Sequence, residues 1–307
     1  MSSTAGPVLQ VEGLTKRFGR RSPVMAVSDL SFEVQPGRVT GFLGPNGSGK
    51  TTTLRCLLGL VAPTSGHTLI GGLPYASLPD PTGTVGAALE ASGFHPGRTG
   101  RNHLRVLASA NSVPEARVDA VLELVGLTDA ARRRVVEYSL GMRQRLALAA
   151  ALLPDPAALI LDEPANGLDP EGIAWLRGFL RAQAAEGRTV LVSSHVLSEV
   201  QQTVDDVVIV THGRLVHAGP LDEIGAGGTR RVTVRSPHAA RLAAAIARAH
   251  ETAAAVESAE DGSLLVTGLT SEQVGQLAFT EGCELHELST AADGLEQAFL
   301  ELTGGAQ

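Results

Sequence analysis

The chain has 307 residues, 43% of them hydrophobic and 19% charged, with a formal net charge of −7. That balance excludes a disordered chain of low hydrophobicity, and the acidic sign argues against a general affinity for nucleic acid, which needs a net basic face. The length suits two domains rather than a single core.

In chain order, Val39 to Leu43 reads as a strand, a Gly-rich turn follows, and Lys50 to Leu60 reads as the helix leaving it. Pro96 to Val125 has no convincing strand pattern and reads as a helical insertion, part of a helical stretch from about 96 to 150. Helices are expected at about 139 to 153 and 171 to 186, and strands at Ala158 to Asp162, Thr189 to Ser193 and Asp206 to Thr211. This alternation predicts an α/β domain with a mainly parallel sheet wrapped by helices. It closes near Leu221 to Ile224, and Gly225, Gly227 and Gly228 form a linker. Beyond it the pattern is a strand at 230 to 235, an Ala-rich helix at 238 to 250, strands near 253 to 258 and 263 to 267, a helix at 271 to 280, a strand at 283 to 288 and a last helix. The expected domains are therefore 1–225 and a small α+β domain over 229–307.

Apolar runs such as Val207 to Val210 are strand-sized, far short of the roughly 18 residues that cross a bilayer. Met1 to Pro7 carries no secretory pattern, so a cytoplasmic protein is expected. Cys56 and Cys283 are far apart in sequence and form no CxxC pair, so both are expected to be packing residues.

Gly44-Pro45-Asn46-Gly47-Ser48-Gly49-Lys50-Thr51 fits GxxxxGK[ST] and lies between a predicted strand and a predicted helix, the context this phosphate-binding loop requires. Glycines let successive N–H groups converge on phosphate oxygens, and the helix N-terminus adds a favourable dipole. Lys16 and Lys50 are the two lysines among 25 Lys and Arg residues. A compact ammonium at position 50 fits between the β- and γ-phosphates of ATP better than a guanidinium. Thr51 is expected to offer its hydroxyl to Mg²⁺, with Thr52 beside it in the phosphate site.

Leu159 to Leu161 runs into Asp162 and Glu163, an apolar strand ending in two carboxylates. The first suits Mg²⁺, held through its water shell, and the second suits orienting or deprotonating the attacking water. Val190 to Ser194 ends similarly at His195, which could hydrogen-bond the γ-phosphate and steady that water.

With these pieces in order the chain resembles the ATPase subunits of ABC transporters. The decisive segment is Tyr138-Ser139-Leu140-Gly141-Met142-Arg143-Gln144-Arg145, which looks like the family's signature motif upstream of the acidic strand. Asn166-Gly167-Leu168-Asp169 resembles its D-loop, with Asp169 expected to communicate across a dimer, and Phe18 matches the upstream aromatic that stacks on adenine. Two positions depart from the family pattern. Glu90 stands where glutamine is usual, at a position expected to touch Mg²⁺ and link the nucleotide to the membrane partner, and Leu140 replaces a glycine. Both, with Gly93-Phe94-His95-Pro96, look like the bacterial drug and peptide-antibiotic exporter branch.

The resemblance covers roughly residues 8 to 224 and implies an ATPase coupled to transport. Its partners would be a separate transmembrane permease and a second ATPase subunit, a homodimer by preference. ATP would bridge Lys50 and Thr51 of one copy and Ser139 and Gly141 of the other. The chain would lie on the inner face of the cell membrane through that permease, with Phe94 and His95 as candidate contacts. Two alternatives are a nucleotide-binding regulatory subunit with weak hydrolysis, which Glu90 and Leu140 leave open, and a soluble ATP-driven switch acting on ribosomes or DNA, against which the single phosphate loop and missing heptads argue.

Overall fold

The computed structural model describes residues 5–19, 22–89, 93–196, 201–226, 231–249, 255–259 and 262–290. The chain divides into two compact units, 1–219 and 220–307.

The first unit, among its described residues, contains two sheets. One is antiparallel and three-stranded, ordered β2-β1-β4, from β1 (Leu9–Phe18), β2 (Val24–Val34) and β4 (Ser65–Ile70). The other is six-stranded, ordered β5-β6-β7-β3-β8-β9, from β3 (Val39–Leu43), β5 (Val85–Ala88), β6 (Ala158–Leu161), β7 (Thr189–Ser194), β8 (Asp206–Thr211) and β9 (Arg214–Pro220). The ladders from β5 through β8 are parallel. β3, β6 and β7 are buried along their whole length, which is why they read as unbroken apolar runs with few polar positions.

Helices α1 (Lys50–Leu57) and α2 (Pro81–Thr84) precede a helical region made of α3 (Gly100–Ala110) and α4 (Ala116–Leu124); α5 (Leu140–Leu152) and α6 (Pro170–Ala185) follow. α1 stops three residues before the expected Leu60, because Gly59 takes a left-handed φ of 68° and Leu60 N–H turns back to Arg55 O. The core between the antiparallel sheet, α1 and the parallel sheet contains Leu9, Leu30, Phe42, Leu54 and Ile70, with Phe32 and Phe42 rings 5.2 Å apart. Truncating Phe42 to alanine would cost about 3–5 kcal/mol by the usual large-to-small rule.

The second unit opens with α7 (Leu221–Ala226) and continues with β10 (Arg231–Arg235), α8 (Ala239–Ala249), β11 (Ala255–Ser258), β12 (Leu264–Thr267), α9 (Ser271–Thr280) and β13 (Glu287–Thr290). The strands form an antiparallel sheet ordered β11-β12-β10-β13. Its core joins Val232, Val234 and Val266 to Leu242 and Ile246 of α8 and Val274 of α9. The strand expected at 283 to 288 begins instead at Glu287, because Cys283 is buried in this core and Ser236 Oγ ties down Glu284 O. The expected last helix lies outside the described residues. Both cysteines are free and buried, and no helix among the described residues is long and apolar enough to cross a membrane.

Candidate active site

Sheet order brings three loops together. β6, β7 and β3 are parallel neighbours, so the residues that follow their carboxyl ends, Asp162 with Glu163, His195, and the loop from Gly44, meet at one edge. The loop is tight against the protein itself. A Cβ on Gly44 would stand 2.2 Å from Val210 O, and one on Gly49, at φ +100°, would stand 2.4 Å from Ala26 O. Glycine is therefore required there by the surrounding backbone as well as by any approaching phosphate. Gly49 is the N-cap of α1, leaving the first N–H groups of that helix, those of Lys50, Thr51 and Thr52, directed out of its N-terminus.

Lys50 is only 6% exposed. Its ammonium donates to Gly44 O at 2.6 Å and Pro45 O at 3.3 Å, and lies 3.6 Å from Glu163 Oε1. Burial pushes its pKa below the ordinary lysine value, opposed by the charges of Glu163 and Asp162. Thr51 Oγ1 donates to Asp162 Oδ2 at 2.7 Å. Glu163 sits in the left-handed region at φ +50°, a conformation a non-glycine residue holds only when its surroundings enforce it. They do so through four contacts: Ser193 Oγ accepts the Glu163 N–H at 2.9 Å, His195 Nδ1 and Asn166 Nδ2 lie 2.5 and 3.2 Å from Oε2, and Gln144 Nε2 donates to the backbone oxygen at 3.3 Å.

Sequence reasoning missed Ser193. Buried at the end of β7, it donates its hydroxyl proton to Asp162 Oδ1 and accepts from Glu163 N, so one side chain aligns both acids. The signal was the polar pair Ser193-Ser194 closing an otherwise apolar strand.

The signature residues form a second cluster. Ser139 caps α5 by accepting from Met142 N at 3.2 Å, and a Cβ on Gly141 would lie 3.3 Å from Gly167 O. Asp169 caps α6, accepting from Gly172 N at 2.8 Å. Phe18, 44% exposed, lies at the end of β1 with Lys16 Nζ 4.9 Å over its ring. Pro45, Asn46 and Gly47 complete the loop; Ser48 is buried, with its hydroxyl unpartnered among the described residues. Glu90 lies outside the described residues.

A phosphate loop entering a helix, with an acid pair and a histidine on adjacent parallel strands, defines a nucleoside-triphosphate-hydrolysing domain. The ABC transporter family model matches residues 27–166, and Domain of unknown function (DUF8746) matches 230–296. The chain is 35% identical over 303 residues to the bacitracin transport ATP-binding protein BcrA of Bacillus licheniformis, covering 97% of this chain and 98% of that protein. It is 33% identical over 316 residues to the daunorubicin resistance ATP-binding protein DrrA3 of Streptomyces coeruleorubidus, covering 98% and 97%. A solved ATP-binding subunit of an ABC transporter superposes with a TM-score of 0.64 at 30% identity, over 71% of this chain and 92% of that one. The chain belongs to the ATP-binding subunits of ABC transporters, in the drug and peptide-antibiotic branch. It binds and hydrolyses ATP, and as an ATP-binding subunit of this family it works with transmembrane subunits.

Proposed function

We propose that the chain powers export of a drug, peptide antibiotic or other hydrophobic compound, as a homodimer held on the inner face of the cell membrane by a separate permease. The observation that carries this reading is the likeness to BcrA across both units, not the ATPase region alone.

Two clusters in one chain each suit a γ-phosphate: Lys50 and Thr51 with the acids, and Ser139 with Gly141 at the N-terminus of α5. Head-to-tail pairing of two copies lets each ATP use one cluster from each, while Phe18 stacks on its adenine. Thr51 Oγ1 and Asp162 Oδ2 converge within 2.7 Å, two hard oxygen donors of the kind Mg²⁺ selects. Bound there with the help of Glu90, Mg²⁺ would neutralise charge on the β- and γ-phosphates. Lys50 already pairs with Glu163. A γ-phosphate arriving at that ammonium competes for it, freeing Glu163 to take a proton from water while His195 holds the carboxylate by its other oxygen.

Phe94, Leu89, Pro96 and Val136 line an open cavity of about 630 Å³ together with Glu163. A permease segment seated against Phe94 and His95 would therefore lie close to the catalytic acid. The test is affinity purification of the full chain from membranes. Recovery of a multi-span protein that stimulates phosphate release supports the proposal, and recovery of ribosomes or nucleic acid in its place refutes it.

A further inference from the structure

Leu140 occupies the first turn of α5 and is 54% exposed, so burial gives it little reason to be leucine. Its side chain nevertheless lies across Gly167. A Cβ built on Gly167 would stand 2.2 Å from Leu140 Cδ2 and 2.5 Å from Cγ. Gly167 itself is left-handed, at φ +76°. Beside it, Gly141 approaches Gly167 O and Leu168 Cδ2, each 3.3 Å from where its Cβ would be. One turn further along α5, Gln144 holds the Glu163 carbonyl, and the turn is closed by Asn166 N–H to that same oxygen at 3.2 Å. Residues 163 to 168 are thus gripped at both ends by one face of one helix.

We propose that Leu140 is a positioning residue for hydrolysis: it pins Gly167, keeping Asn166 and through it the Glu163 carboxylate in place. The exposed leucine then has a task that glycine at the same position could not perform. The inference rests on Glu163 being the base, and adds a route by which a shift of the signature helix reaches the base of the same chain.

The test is a double-mutant cycle on the full chain, read as steady-state phosphate release. Leu140→Gly should lower kcat by about five- to tenfold and change KM for ATP by less than about twofold, a loss of alignment rather than of uniform binding. Leu140→Met, which keeps the reach, should recover at least about half of kcat; Leu140→Ala, which leaves the helix backbone stiffer than glycine does, should repeat the loss. Gly167→Ala should cost about tenfold in the native background and less than about threefold with Leu140→Gly, because the clash is gone and only backbone strain remains. Equal costs in both backgrounds, or no recovery with methionine, overturn the latch. Glu163→Gln separates the layers: if it abolishes turnover while the other effects multiply, the latch alone falls, and if turnover survives it, the base assignment and the latch fall together.

Discussion

Nδ1 of His195 lies 2.5 Å from Oε2 of Glu163, across the ends of two adjacent parallel strands. An ionised carboxylate can only accept, so Glu163 acting as a base pairs with the tautomer of His195 that donates from Nδ1. The histidine that sequence reasoning directs at the γ-phosphate thus also steadies the acid. His195→Ala is expected to lower kcat by about 100-fold, in the range for a positioned acid–base partner, with ATP affinity nearly unchanged. Single-turnover phosphate release alongside nucleotide titration checks this.

Ser193 supports both acids and is buried, so Ser193→Ala leaves the Glu163 N–H and one oxygen of Asp162 without their partner. The expected cost is about 1–3 kcal/mol of stability, together with a fall in kcat. Urea unfolding and ATPase rates on the same preparation measure the two effects.

Phe18 is exposed at a strand end, and a stacking role gives an aromatic a reason to remain there. Phe18→Ala should weaken ATP binding by about tenfold, from roughly 1–2 kcal/mol of lost stacking, and Phe18→Tyr should restore it. Equilibrium binding of ATP compared with inorganic triphosphate isolates the base contribution.

His103 on α3 meets Phe94 edge-on, ring centroids 5.0 Å apart, and its Nδ1 is unpartnered among the described residues. Burial first, and the Arg98 charge second, hold it below the ordinary value of 6.5. The unfolded chain therefore binds the proton more readily. Above 6.5 there is no penalty; as pH falls from 6.5 through the depressed folded value, stability is lost, and below it the loss is constant. Denaturation midpoints between neutral and mildly acidic pH should fall less for His103→Gln than for the native chain.

Among the parallel strands, β3, β6, β7 and β8 were legible because both their faces are buried, leaving apolar runs, whereas the short β5, Val-Gly-Ala-Ala, was not. Nor was the antiparallel sheet of the first unit. Its alternation is broken by register shifts in β1, with Gly13 and Asp29 both at positive φ, so neither strand keeps a clean period of two. Motif spacing picked out Lys50, Asp162, Glu163 and His195, and the fold brings them together. It could not reveal Ser193 as their common support, since 31 residues separate it from Asp162, nor Leu140 as the neighbour of Gly167, since contact across a turn leaves no periodicity.

On the proposed mechanism two copies close around ATP, and hydrolysis through Glu163 opens them. Glu163→Gln chain, with and without Mg-ATP, should be measured by light scattering after size exclusion. A stable dimer retaining unhydrolysed ATP, reverting to monomer when ATP is withheld, is the predicted result. A monomer under both conditions rules out ATP-driven pairing, and continued phosphate release by the variant rules out Glu163 as the base.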